Sequence, residues 1–206
     1  MEWAPEHDSI VAMAEAVLRW APPTFALAGH SMGGRVAFQI LRLAPDRVTR
    51  VAVFNTGADA RPPGEAGETE ERGRRRLLEL ARSQGMRPMA VEWLKGMLPI
   101  YRQNDNPLVE EIIQMFELKS PDLFEIQMLA LLGRPDATHF LRMIHCPALV
   151  LTGFDDAWSP PARHLQIAQS LPHSELVIVP KCGHMSTMER PDEVTAAMRE
   201  WLMRSH

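Results

Sequence analysis

Two cysteines in 206 residues, Cys146 and Cys182, are too few for a disulfide framework or a cysteine-based zinc site. The eight histidines are scattered, with no pair at His-Glu-x-x-His spacing, so neither a metal nor any other cofactor is expected. Basic charge is also short: the formal net charge is -4, which excludes the cationic surface that non-specific nucleic-acid binding requires. No apolar run approaches the roughly 18 residues of a membrane span. The first thirty residues carry Glu2, Glu6, Asp8 and Glu15 in place of a basic start and an unbroken apolar stretch. The expectation is a soluble cytoplasmic protein without nucleic-acid or membrane partners.

What is present is an apolar share of 46%, enough for one sizeable core, patterned in alternating elements. Residues 9 to 20 have helical spacing, with Asp8 or Ser9 available as cap. TFALA at 24 to 28 reads as a strand buried on both faces, GGRVAFQILRL at 33 to 43 as a helix, and VTRVAVF at 48 to 54 as a second strand. This strand, turn, helix, strand order implies a parallel sheet flanked by helices. Residues 57 to 76 lack an apolar period and read as a loop leading into a charged helix start. From Leu77 to about Arg142 the spacing is helical, divided by Pro88, Pro99, Pro107, Pro121 and Pro135. The alternation resumes with ALVLT at 148 to 152, a helix from Pro161 to Leu171, ELVIV at 175 to 179 and a helix from Asp192 to Arg204. The division expected is a core of 1–60 and 146–206, with a helical insertion over 61–145.

Gly29-His30-Ser31-Met32-Gly33 reads G-x-S-x-G between a predicted strand and a predicted helix, where a nucleophilic serine is presented on a sharp turn. The two glycines are expected to supply clearance, and the helix N-terminus faces developing negative charge. A serine hydroxyl needs a base to take its proton, and a histidine needs a carboxylate to orient it. Both follow in chain order: Asp155 or Asp156 after ALVLT, and His184 after ELVIV. Each lies at the C-terminal end of a predicted strand, where parallel sheets gather their catalytic groups.

GHSMGG at 29 to 34, LTGFDDAWSP at 151 to 160 and GHMSTMERPDEV at 183 to 194 resemble the α/β-hydrolase superfamily, in particular small bacterial esterases with a helical cap. The resemblance implies Ser31 as nucleophile, His184 as base and, from the family's glycine, two residues, aspartate pattern, Asp156 as the orienting acid. It implies the Met32 backbone N–H as an oxyanion donor and the insertion as a cap over a pocket for a small ester-like substrate. Serine at 31, where epoxide hydrolases and haloalkane dehalogenases carry aspartate, leaves ester, thioester, lactone and some carbon–carbon bond hydrolyses. The cap methionines, Met115 and Met128 among them, are candidates for lining that pocket, with core filling the commoner role for any one of them. Arg74, Arg75 and Arg76 could meet an acidic substrate, but a solvated helix face is the commoner role for such a run and is the expectation.

Such proteins usually begin with additional strands, one ending in a His-Gly type loop that gives a second oxyanion N–H. Here the chain starts at about the helix before the nucleophile strand. The expectation is an α/β-hydrolase lacking its N-terminal strands, with the 24 to 28 strand as an exposed edge through which two chains pair. The alternative is a non-catalytic ligand-binding protein or an inactive fragment on the same scaffold. Cys146 and Cys182 fall at opposite ends of neighbouring strands and are expected to stay free thiols.

Overall fold

The computed structural model describes residues 7–204. Its centre is a sheet of four parallel strands in the order β1-β2-β3-β4: Phe25–His30, Val48–Phe54, Ala148–Gly153 and Ser174–Val179. β3, and β2 from Val51 onward, bury both faces, which is why Val51 to Phe54 and Ala148 to Leu151 read as apolar runs. Alternate residues supply two different cores, as the two-residue repeat of a strand requires. Val51, Val53, Ala148 and Val150 pack with α1 (Ile10–Trp20), α2 (Met32–Leu43) and α7 (Pro161–Ser170). Ala52, Phe54, Leu149 and Leu151 face the other way, against Val194, Ala197 and Trp201 of the C-terminal helix Pro191–Met203.

β1 is the edge strand, as expected, but is not buried on both faces. Ala26 and Ala28 are exposed, while Phe25 and Leu27 pack inward on the first core. The reason is coverage: Ala26 and Ala28 share the face of Arg50 and Ala52, and the C-terminal helix on that face packs on β3 and β4.

Two arginines close helix ends by accepting nothing and donating to orphan carbonyls. Arg47 donates to the carbonyls of Leu18, Ala21 and Pro22 at the end of α1, and Arg50 to those of Trp201 and Leu202. Ser9 is the α1 cap, its hydroxyl accepting from the Ala12 N–H.

Between β2 and β3 run four helices: α3 (Glu65–Gln84), α4 (Met86–Met97), α5 (Asn106–Glu117) and α6 (Pro121–Leu132). α3 begins well before the expected loop ends. Its first half has no apolar stripe but is laced by i,i+4 pairs, Glu68–Arg72, Glu70–Arg74 and Glu71–Arg75, which support a helix that tertiary burial does not. Pro88 does not divide the helices either, because it sits in the first turn of α4, where a missing N–H costs nothing. The break falls at Gly85, whose φ of 94° suits only glycine. The four helices share two apolar clusters, one built on Leu78, Met89, Phe124 and Met128, the other on Leu94, Met97, Leu108 and Ile112 together with Met185.

Both cysteines are free thiols. Burial pushes the Cys182 thiol up to about 12, so it stays protonated and inert. Among the described residues no helix is long and apolar enough to cross a membrane, and no three His, Cys, Asp or Glu side chains cluster as metal ligands would.

Candidate active site

Ser31 stands at the turn from β1 into α2 with φ 52° and ψ -114°, a conformation costly for a non-glycine residue. The turn is closed by backbone: the Ser31 N–H donates to the Phe54 carbonyl at 2.8 Å. A Cβ on Gly29 would lie 2.3 Å from the Gly33 carbonyl oxygen, and one on Gly34 would lie 2.8 Å from the Thr56 side chain. Gly33 itself has open space, so the clearance comes from Gly29 and Gly34 rather than from Gly29 and Gly33. Gly29→Ala is accordingly expected to cost about 1–3 kcal/mol of stability, whereas Gly33→Ala introduces no clash. Urea unfolding of the two variants checks this, and equal stabilities would contradict the crowded turn.

His184 follows β4 on a short loop and is buried. Its Nε2 lies 3.0 Å from Ser31 Oγ, and its Nδ1 lies 3.0 Å from Asp156 Oδ2 and 3.1 Å from Oδ1. A carboxylate at Nδ1 assigns the proton to that nitrogen and leaves the Nε2 lone pair facing the hydroxyl. Asp156 is itself fully engaged. Oδ1 accepts the N–H groups of Trp158 and Ser159, each at 2.9 Å, and Oδ2 accepts Asn55 Nδ2 at 2.9 Å. Burial works to raise its pKa, but the hydrogen bonds from His184, Asn55 and Ser159 outweigh it and hold the carboxyl below its ordinary value. Asp155 points elsewhere and accepts from the Tyr101 hydroxyl at 2.5 Å.

Several contributors are given no role by the sequence, although Trp158 and Glu189 lie within the segments that resemble the family. Asn55, at φ 48°, also donates to the Gly183 carbonyl and accepts from the Ser186 hydroxyl, tying β2 to the histidine loop. Buried Glu189 accepts from the N–H groups of Gly183 and Met185, on either side of His184. The His184 N–H donates to the Met97 carbonyl at the end of α4. Trp158 places its ring 5.1 Å from that of His184. The chain ends of β1, β2, β3 and β4 thus each deliver part of one constellation, at the sheet edge where their C-termini meet. The Met32 N–H opens α2, one of the first-turn donors that the helical ladder leaves unused.

Two further histidines surround this row in neutral form. His30, whose Nε2–H donates to the His184 carbonyl at 2.7 Å, is lowered from 6.5 to about 4 by burial and then by the neighbouring His184. His164 is lowered to about 4, chiefly by burial; its Nε2 accepts the Thr56 N–H at 2.9 Å, and Thr56 in turn donates to the Ser31 carbonyl. In the unfolded chain both bind a proton near 6.5, and in the folded one only near 4. Stability is therefore full above about pH 6.5 and falls as pH drops towards 4, by about 1.4 kcal/mol per pH unit for each histidine. Urea titrations at pH 7, 5.5 and 4.5 measure this slope, and a flat profile would contradict neutral burial.

Ser31 and His184 open into a cavity of about 1020 Å³. Core residues form its floor, and α3 to α6 form its roof through Leu77, Trp93, Met115, Phe124 and Met128. Met128 serves both readings, being buried in the helical core and in contact with the cavity. Arg74 lies on this wall too, largely buried, and not on a solvated face as Arg75 does; Arg76 also borders the cavity but is mostly exposed.

The sequence profile of the Alpha/beta hydrolase family matches residues 2–197. A 2-hydroxy-6-oxononadienedioate/2-hydroxy-6-oxononatrienedioate hydrolase of Burkholderia vietnamiensis is 28% identical over 185 residues, 86% of this chain and 62% of that protein. The chain thus spans less than two thirds of that relative's length. A thermophilic esterase from Thermogutta terrifontis, solved with malate bound, is 33% identical with a TM-score of 0.83, over 94% of this chain and 72% of its own. The enol-lactonase of Burkholderia xenovorans, 23% identical, shares the fold with a TM-score of 0.82 over 98% of this chain and 76% of its own. With its parallel sheet, its flanking helices and hydrolases among its relatives, the chain belongs to the alpha/beta hydrolase family.

Proposed function

We propose that this chain is a serine hydrolase that cleaves an ester-type bond, in a carboxylic ester, thioester or lactone, through an acyl-enzyme. The observation that carries the reading is the continuous hydrogen-bonded row from Ser31 Oγ through His184 to Asp156. In it Ser31 attacks the carbonyl carbon while His184 Nε2 takes the hydroxyl proton. Asp156 keeps the imidazole in the required tautomer and stabilises its cationic form. The Met32 N–H, at the positive end of α2, donates to the oxyanion. His184 then passes its proton to the leaving group, and water, deprotonated by the same histidine, releases the acid.

On this reading residues 61–145 act as a lid whose helices roof the cavity, and 1–60 with 146–206 form the catalytic core. The test is turnover of short p-nitrophenyl esters in the pre-steady state. A burst of p-nitrophenol stoichiometric with protein is expected where release of the acid limits turnover, and hydrolysis no faster than in protein-free buffer would contradict the proposal. The same reading places a second chain on the free edge of β1, whose outer N–H and C=O groups lack a strand partner among the described residues. Light scattering should give a dimer mass, and a monomer at all concentrations would remove this part of it.

A further inference from the structure

The cavity wall beside Ser31 is cationic. Arg35, Arg74 and Arg134 line it with Arg163, and the carboxylates among them are Glu70 and Asp59. Four guanidiniums against two carboxylates leave an excess of two positive charges; Arg76 and Glu92 on the same wall lie 3.7 Å apart and offset one another.

Much of this charge has a structural role. Glu70 takes a bidentate pair from Arg134 at 2.6 and 2.8 Å and a bond from Arg74 at 3.1 Å, joining α3 to the end of α6. Arg163 reaches Asp59 at 3.6 Å. Two features are left over. Arg134 is 7% exposed, yet its Nε has no hydrogen-bond partner. Arg35 forms no ion pair among the described residues and donates only to the Asp59 backbone carbonyl, at 2.7 Å. Burial, and next the Arg134 guanidinium, lower Arg35 to about 10 against the opposing pull of the Asp59 and Glu70 carboxylates.

A Cβ on Gly57 would lie 2.8 Å from an Arg35 nitrogen, 3.0 Å from the Arg163 stem and 3.1 Å from Asp59 Oδ1, so glycine lets these three side chains converge there. Arg35 follows Ser31 by one helical turn, about 6 Å along the α2 axis. A half-buried guanidinium on the cavity wall, with no carboxylate at ion-pair distance, favours a planar anion from the ligand.

We infer that Arg35, with Arg163 and Arg134 behind it, forms an anion subsite, and that the substrate carries a carboxylate a few carbons from the bond that Ser31 attacks. The substrate half of this inference rests on the hydrolase reading, while the subsite stands on the wall itself. The experiment separates the two by measuring binding without chemistry. Calorimetry on the unsubstituted protein compares glutarate with glutaramide, its neutral diamide. Glutarate should bind about tenfold tighter or more, weakening as salt is raised, and the preference should fall at least tenfold in Arg35→Gln and again in Arg35→Gln/Arg163→Gln. Melting curves establish that the variants fold; should the double variant fail, the single variant and the salt series decide. In parallel, kcat/KM for p-nitrophenyl hydrogen glutarate should exceed that for p-nitrophenyl valerate, a neutral ester of equal acyl length. Equal affinity for diacid and diamide, binding of neither, or a preference untouched by Arg35→Gln would overturn the subsite. Glutarate preference without turnover of either ester would instead sink the hydrolase reading alone.

Discussion

Ser31→Ala and His184→Ala are each expected to lower ester turnover by about 10⁴-fold or more, and the double variant by little beyond either single one. The reasoning is geometric. A serine hydroxyl attacks only while its proton is leaving, and His184 Nε2, at 3.0 Å, is positioned to receive it. Removing the base leaves an unactivated hydroxyl; removing the hydroxyl leaves a base with nothing to deprotonate but water. The two substitutions therefore abolish one event and not two. Parallel single-variant and double-variant kinetics check this, and additive losses would mean that Ser31 and His184 act independently.

The second large effect separates two adjacent aspartates. Asp156→Asn should reduce kcat by about 10⁴-fold, because an amide can present its NH₂ to Nδ1, favouring the tautomer with the proton on Nε2 and no base facing Ser31. It also removes the charge that stabilises the imidazolium. Asp155→Asn only exchanges a charged acceptor of the Tyr101 hydroxyl for a neutral amide oxygen, at the protein surface, and should change kcat less than about threefold, since exposed polar contacts contribute little. A severe loss in Asp155→Asn with a mild one in Asp156→Asn would invert the assignment.

The strands were legible because burial wrote itself into the chain. Val48–Phe54 is apolar on both faces from Val51 onward, in sequence as in space, and its bounds could be read to the residue. β1 was harder, since Phe25–His30 runs on into Gly29 and His30, which look like turn residues in isolation. The start of α3 was hidden for a different reason. Charge pairing, not an apolar stripe, supports its first turns, so no periodic signal marked the helix or set its phase. Without that phase Arg74 could not be told from Arg75, although one faces the cavity and the other solvent.

The site divides in the same way. Ser31, Asp156 and His184 stand in local motifs, and Trp158 and Glu189 lie in the same segments without a readable role, whereas Asn55 and His164 join the site only through tertiary contact. Asn55 did leave one trace: it is the polar residue directly after the C-terminal end of a central strand, the position at which its neighbours carry chemistry. Arg35 left none, because an arginine in a helix next to a glycine turn reads as a solvated side chain until the cavity is assembled around it.

The central claim, an activated serine, is tested most directly by phosphonylation. A fluorophosphonate reacts with a serine hydroxyl only where a base removes its proton, and the product is a covalent adduct that mass spectrometry locates. The account predicts one adduct per chain, on the peptide containing Ser31, absent from both Ser31→Ala and His184→Ala. An unlabelled native chain, or an adduct on any other residue, would contradict it.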